Sequence, residues 1–151
     1  MNKKIILLLA TCFYSGYSPF APGTVGTILG IPLGFLISKL NLINQLLLFI
    51  LAFFALSYVA GRGEAFFNKK DAPQVVCDEV LGFVTAMSFI PYTFLNIAVV
   101  FFLFRLFDIW KPFPIRLIEK KINGGYGIVL DDIAAGVYAN IAFRISGFFM
   151  P

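Results

Sequence analysis

The sequence contains no histidine, only two cysteines and few charged residues for its length. Without histidine, the chain has no imidazole to act as nucleophile, general base or metal ligand. Cys12 and Cys77 lie in or beside apolar segments and form no CxxC pair, which favours packing roles over zinc or redox chemistry. Charged residues make up 13% of the 151 residues, about half of the usual share.

Apolar residues are correspondingly abundant in the sequence. Hydrophobic residues make up 60% of the chain and the mean hydropathy is +0.89, which indicates that lipid is its solvent. The net charge of +4 does not indicate nucleic acid, because the basic residues lie in gaps between apolar runs and form no stripe with interleaved aromatics. The pattern predicts one multi-helical membrane domain over residues 1–151 that contacts the lipid bilayer and no nucleic acid.

Four apolar segments define the predicted organisation. Thr24 follows a Pro/Gly turn and is predicted to be the N-cap of a helix that ends near Ser38. The uncharged run Leu42–Ala60 is long enough to cross the hydrocarbon core as a helix. A third uncharged stretch, 80–104, contains Pro91, so a helix there must either kink or reverse. The tail, Ile133 to Phe149, is apolar apart from Arg144, which is predicted to snorkel to the interface.

The choice at Pro91 decides whether Asp78 and Asp108 lie on the same side of the membrane. Residues 1–4, 61–70 and 105–121 hold two, three and five of the twelve Lys and Arg residues. A reversal places all three segments on the cytoplasmic side, in agreement with the positive-inside rule. We therefore predict a helical hairpin near Pro91, whose short arms either span the bilayer or penetrate it in part.

Carboxylates are the candidate chemical groups. Five of the eight acidic residues lie at the ends of apolar segments, where a charge is costly and usually marks a function or a partner: Asp78, Glu79, Asp108, Asp131 and Asp132. The alternative is that they are solvated loop charges or ion-pair partners of Arg105 and Lys111. Acids held close together repel unless a cation lies among them, and oxygen ligands without His or paired Cys suit Mg²⁺. Arg105 and Lys111, on either side of Asp108, can clamp phosphate oxygens.

Missing motifs narrow the mechanism for such a site. The chain has no GxxxxGK[S/T] P-loop, no Asp-x-Asp pair and no cysteine followed by the arginine spacing of a cysteine phosphatase loop. Attack on phosphate by water that a metal activates is the mechanism that remains.

Two glycine-bearing segments are weaker candidates for binding an anion. Gly124 and Gly125 precede the Asp131-Asp132 pair, and their backbone N–H groups can approach a phosphate closely, although such turns are mostly only turns. The turn before Thr24 opens a helix whose N-terminus could also face an anion.

Four of these stretches together resemble the phosphatidylglycerophosphatase A family of bacterial membrane enzymes. They occur in the family order: SPFAPGTVG at 18–26, Asp78-Glu79 with Gly82, FRLFDIWKPFPI at 104–115, and GGYGIVLDDIAAG at 124–136. The resemblance implies an all-helical fold and Mg²⁺-dependent removal of the terminal phosphate from phosphatidylglycerophosphate. It carries over a set of site residues: Asp78, Glu79, Asp108, Asp131 and Asp132 as metal ligands, with Asp108, Asp132, Arg105 and Lys111 in catalysis. Arg105 and Lys111 are expected to bind the phosphate, together with Thr24, Gly124 and Gly125.

The expectation is thus a multi-pass enzyme of the bacterial cytoplasmic membrane whose active site faces the cytoplasm and acts on a membrane phospholipid. A cation transporter is the main alternative, but its acids would lie inside apolar runs, whereas these lie at segment ends beside basic residues. A membrane protein of the same family without catalysis would have the same sequence features.

Overall fold

The computed structural model describes residues 2–69 and 72–147, and every regular element in these ranges is helical. Seven α-helices follow one another: α1 (Lys3–Ala10), α2 (Pro22–Ser38), α3 (Leu42–Phe67), α4 (Cys77–Ala86), α5 (Phe94–Trp110), α6 (Ile115–Lys121) and α7 (Gly125–Gly147), with a 3₁₀ turn at Ser15–Tyr17. The all-helical expectation is confirmed for these residues. Lys70, Asp71 and the last residues of the predicted apolar tail lie outside the described ranges.

α3 is the one described helix that is long and apolar enough to cross a membrane. Asn41 caps it by accepting a hydrogen bond from the backbone N–H of Asn44 at 2.9 Å. Only 11% of its most apolar stretch is buried, and Ile43 and Leu51 are more than half exposed, as expected for a lipid-facing helix. The helix continues past Ala60 into a segment predicted to be a polar gap. The multi-pass arrangement stays a prediction.

α4 and α5 form the predicted hairpin around Pro91. Residues 87–93 separate the two helices, and Thr93 caps α5 by accepting a hydrogen bond from Asn96 N–H at 3.2 Å. Beyond the turn, α5 runs back along α4, because the Phe83 ring contacts the rings of both Phe101 and Phe104, with centroids 6.1 and 6.2 Å away. The reversal brings the first turn of α4 next to the last turns of α5.

α7 packs against both arms of this hairpin and against α3 and α6. At its far end, the side-chain amide of Asn140 donates hydrogen bonds to the carbonyls of Ala86 and Ser88, at 2.8 and 2.9 Å. Arg144 also donates to the Ser88 carbonyl, at 3.1 Å, so it binds the hairpin turn besides lying near the chain's apolar end. Carbonyls at the end of α4 that would otherwise lack partners are satisfied in this way.

The predicted start of α2 was wrong, whereas its end at Ser38 was right. α2 begins at Pro22, a residue suited to the first helical position because it needs no partner for an N–H. Ala21 therefore occupies the N-cap, in the left-handed region at φ 43°, and Thr24 lies inside the first turn. The rest of α2 packs on α4, where Gly26 faces Val76 and Gly30 faces Phe83.

Candidate active site

The site is built where α4 crosses α7 with almost no space between their backbones. Gly82 lies one turn after Asp78, and Gly136 lies one turn after Asp132. A Cβ atom on Gly136 would overlap with the carbonyl oxygen of Gly82, and one on Gly82 would come within 2.9 Å of the Asp132 carbonyl. Because side chains four residues apart share a helix face, this close crossing brings Asp78 and Asp132 together.

Asp78, Glu79 and Asp132 form an acidic trio at this crossing. Each contributes one carboxylate oxygen to a set whose members all lie within 4.8 Å of one another. Asp78 and Asp132 are only 6% and 4% exposed. One oxygen of each trio member is buried without a hydrogen-bond partner among the described residues: Asp78 Oδ1, Glu79 Oε2 and Asp132 Oδ2. Buried and unpartnered carboxylate oxygens at this spacing fit a hard divalent cation such as Mg²⁺.

The trio is electrostatically unfavourable for the protein alone. Burial, followed by the charge of Asp132, raises the pKa of Glu79 to about 8. Burial and then the neighbouring Glu79 raise the pKa of Asp78 well above its ordinary range. Both shifts mean that the charged form is disfavoured until a positive charge arrives.

Arg105 supplies one fixed positive charge beside the trio. Its Nη1 atom lies 2.7 Å from Oδ2 of Asp108, one turn further along α5, and 4.0 Å from Oε1 of Glu79. Gly23, in the first turn of α2, lies directly against this group: a Cβ there would overlap with Glu79 Oε1 and come within 3.1 Å of both Arg105 Nη atoms. The Pro/Gly turn that opens α2 therefore closes one wall of the site.

Lys111 supplies the second positive charge. Its Nζ lies 2.6 Å from Oδ2 of Asp131 and 3.2 Å from Oε1 of Glu119. Although burial opposes its charge, the contacts with Asp131 and Glu119 raise the pKa of Lys111 above its ordinary value. Lys111 is the C-cap of α5 and adopts the left-handed conformation at φ 47°, so the chain turns there towards α6. Its ammonium group extends to Asp131 on α7.

A cavity of about 550 Å³ opens over these groups. Seven predicted residues line it together: Asp78, Glu79, Arg105, Asp108, Lys111, Asp131 and Asp132. Arg116 and Glu119 of α6 line it too, and neither was predicted as a site residue. Pro22 and Gly23 of α2 also line it, and they belong to the turn before Thr24 that was considered as a second anion site. The motif at 104–115 ends one residue before Arg116, so the signal for this arginine was only its position beside the motif.

Thr24, Gly124 and Gly125 are not in this cavity. Gly125 packs against α3, where a Cβ would overlap with the Ser57 carbonyl. Gly124, at φ 72°, lies at a separate surface depression beside Glu64 of α3. Their proposed role in binding the phosphate stays a prediction, whereas a role in letting α7 approach α3 is visible for Gly125.

The fold and the cavity together define a class of protein. It is a helical protein whose surface exposes many large apolar side chains. In its buried centre, acids spaced for a divalent cation lie beside an arginine and a lysine. Such a centre suits the binding of a phosphate ester.

The chain belongs to the phosphatidylglycerophosphatase A family, whose sequence profile matches residues 8–146. A phosphatidylglycerophosphatase A from Haemophilus influenzae is 38% identical over 146 residues, covering 92% of this chain and 90% of the relative. The phosphatidylglycerophosphatase A of Escherichia coli is 36% identical over 131 residues, covering 86% and 76%. A Bacteroides thetaiotaomicron protein named "Putative phosphatidylinositol-3-phosphatase" is 36% identical over 148 residues, covering 93% and 92%. No solved structure matches the chain.

Proposed function

We propose that this protein is a phosphatidylglycerophosphatase, which hydrolyses the terminal phosphate monoester of phosphatidylglycerophosphate to give phosphatidylglycerol and needs Mg²⁺. The observation that carries the proposal is the acidic trio with its unpartnered oxygens, in a cavity that also holds Arg105 and Lys111. The names of two relatives support the lipid, and the name of the third makes phosphatidylinositol 3-phosphate the second lipid to test.

In this proposal Asp78, Glu79 and Asp132 hold the Mg²⁺ ion, with Asp108 and Asp131 beside them. A bound divalent cation would supply positive charge against the phosphate oxygens and favour deprotonation of water. Arg105 binds the phosphate and its pairing with Asp108 holds that carboxylate in place to accept a hydrogen bond from the attacking water. Lys111 neutralises Asp131, which lowers the repulsion that an incoming phosphate would meet.

We further propose a multi-pass arrangement in the bacterial cytoplasmic membrane, with the cavity at the cytoplasmic face. Large apolar side chains are exposed on several helices, among them Leu36 of α2, Leu51 of α3 and Phe102 of α5. They would contact acyl chains, while the cavity lies at the end of the hairpin opposite Pro91, where the basic segments are concentrated.

The test is phosphate release by the purified full-length protein in detergent micelles. We expect hydrolysis of phosphatidylglycerophosphate that is lost with EDTA and restored by Mg²⁺. Asp108→Asn should lower the rate at least about a hundredfold, because it removes the charge that faces the attacking water. Glu64→Gln is the matched control, since Glu64 lies outside the cavity. Faster hydrolysis of phosphatidylinositol 3-phosphate would change the substrate, and full activity in EDTA would remove the metal from the proposal.

A further inference from the structure

A second depression adjoins the acidic cavity on the α6 side. It has a volume of about 470 Å³ and a mostly apolar lining: Trp110, Lys111, Pro112, Phe113, Arg116, Leu117 and Lys120. Phe113 is 79% exposed and Trp110 61% exposed, so the aromatic wall faces outward, where lipid chains would lie. We call this depression the α6 groove. Lys111 and Arg116 line both the groove and the acidic cavity, so the two are continuous.

Arg116 differs from the other two cations of the acidic cavity. Arg105 is paired with Asp108, and Lys111 is paired with Asp131 and Glu119. Arg116 makes no ion pair within residues 2–69 and 72–147, and its side chain is exposed. An arginine at the junction of a cavity and an apolar groove, with its charge unneutralised, is suited to bind an anion that arrives with an apolar body.

The backbone around Arg116 is firmly held. The preceding residue, Ile115, is fully buried, and the hydroxyl of Tyr138 on α7 donates a hydrogen bond to the carbonyl of Phe113 at 2.8 Å. The guanidinium therefore extends from a fixed point of the backbone, so that only the side chain of Arg116 loses conformational freedom on binding.

We propose that Arg116 binds the phosphodiester of the lipid substrate while the terminal phosphate monoester occupies the acidic cavity. This inference rests on the proposed function, because it requires a lipid whose headgroup carries a monoester beyond the diester. The glycerol of the headgroup then bridges the junction at Lys111 and Arg116, and the start of the diacyl chain lies along Trp110 and Phe113. The cavity recognises the leaving phosphate, and the groove recognises the lipid by its second phosphate.

The consequence is selectivity between phosphorylated lipids. Phosphatidylglycerophosphate and phosphatidylinositol 3-phosphate both carry a diester and a monoester, so both can use Arg116. Phosphatidic acid carries a monoester alone and leaves Arg116 without a ligand. A single hydrogen-bonded charge pair of this kind contributes about a factor of ten or more to binding.

The experiment compares two inhibitors of phosphatidylglycerophosphate hydrolysis by wild type and by Arg116→Gln. Phosphatidylglycerol retains the diester and lacks the monoester, whereas inorganic phosphate resembles the monoester alone. We expect Arg116→Gln to weaken inhibition by phosphatidylglycerol about tenfold and to raise KM with kcat nearly unchanged, while inhibition by inorganic phosphate stays the same. Arg116→Lys should retain part of the effect. Lys121→Gln, at the end of the same helix but in neither the groove nor the acidic cavity, should leave both inhibitors unchanged.

Equal weakening of both inhibitors would overturn the assignment, because it would place Arg116 at the monoester or in the general structure of the site. Unchanged inhibition by phosphatidylglycerol would overturn it as well. Failure of the proposed function gives a separate result. In that case the wild type itself releases no phosphate from phosphatidylglycerophosphate or from phosphatidylinositol 3-phosphate. The exposed position of Arg116 favours folding of its variants, which a gel-filtration profile in detergent checks.

Discussion

Lys111 Nζ lies 2.6 Å from Oδ2 of Asp131 and thereby links the C-cap of α5 to α7. The Asp131 side chain is only 6% exposed, and that of Lys111 is 18% exposed, so water screens this pair weakly. The same ammonium group reaches Glu119 of α6 at 3.2 Å. One lysine therefore holds three helices around the cavity.

Replacing this lysine should cost both stability and activity. Lys111→Met removes one cation from both the buried Asp131 and Glu119, which is expected to lower the free energy of unfolding by about 3 kcal/mol. Denaturant unfolding in mild detergent, followed by tryptophan fluorescence, measures the loss. Lys120→Met is the control, because Lys120 is exposed and is expected to change stability by less than about 0.5 kcal/mol. Equal stability of the two variants would show that the Lys111 pair is energetically neutral.

The crossing of α4 and α7 should tolerate no side chain at Gly136. Gly136→Ala forces the two backbones apart, because the new methyl group would meet the carbonyl of Gly82, and we expect a loss of about 1–3 kcal/mol. The protein that remains folded should also lose activity, since the separation moves Asp78 away from Asp132. Gly147→Ala, on the same helix with open space around it, is the control. If Gly136→Ala keeps wild-type activity, the acids do not need this close contact.

The acidic trio predicts a pH-dependent stability that Mg²⁺ reverses. Glu79 has an ordinary pKa of 4.5 and a pKa of about 8 in the folded protein. Without a divalent cation, the folded state binds more protons than the unfolded state between these values. The contribution of Glu79 to stability is therefore fully present below about pH 4.5 and is lost as the pH rises through about 8.

The proposed site binds Mg²⁺ through deprotonated carboxylates, so the stabilising effect of Mg²⁺ should grow as the pH rises. Unfolding temperatures at pH 6 and pH 8, each with EDTA and with Mg²⁺, measure this effect. Glu79→Gln should flatten the dependence, because the amide does not titrate. A Mg²⁺ shift of the same size at both pH values would contradict the assignment of Glu79 as a ligand.

Asn140 is predicted to stabilise the hairpin turn at the end remote from the site. Asn140→Ala removes its hydrogen bonds to Ala86 and Ser88. Arg144 still donates to the Ser88 carbonyl, but the Ala86 carbonyl loses this donor, at a cost of about 1–3 kcal/mol. The kcat of the folded protein should remain close to that of the wild type, since the cavity lies at the opposite end of the hairpin. Thermal unfolding measures the cost, and Ser146→Ala, an exposed position on α7, serves as the control. A drop in kcat without a change in stability would contradict this structural role.

The sequence was sufficient to predict the hairpin and the acids that it unites. A proline inside an uncharged stretch and basic residues on both sides of it indicated a reversal, and the reversal alone brings Asp78 near Asp108. The acids themselves were recognisable because ionised groups at the ends of apolar segments are rare.

The register of helix contacts could not be predicted in the same way. Gly125 looked like part of an anion-binding turn, yet α7 begins at this residue and needs it for contact with Ser57. Thr24 looked like an N-cap, but Ala21 occupies that position, three residues earlier. Arg116 and Glu119 lie on a short helix whose direction depends on the turn at Lys111, and no periodic pattern in the sequence encodes that direction.

The two helices that cross at the acidic trio carry the same short pattern, Asp-x-x-x-Gly, at 78–82 and at 132–136. The glycine of each pattern marks the place of contact, and the acid marks the side chain that the contact turns towards its counterpart. This doubled pattern is a diagnostic for homologues of unknown activity. A homologue with both aspartates can still have a bulky residue in place of either glycine. Its two helices could not approach closely enough to bring the aspartates together. We therefore expect a family member with a bulky residue in place of either glycine to lack the activity, even where both aspartates are present.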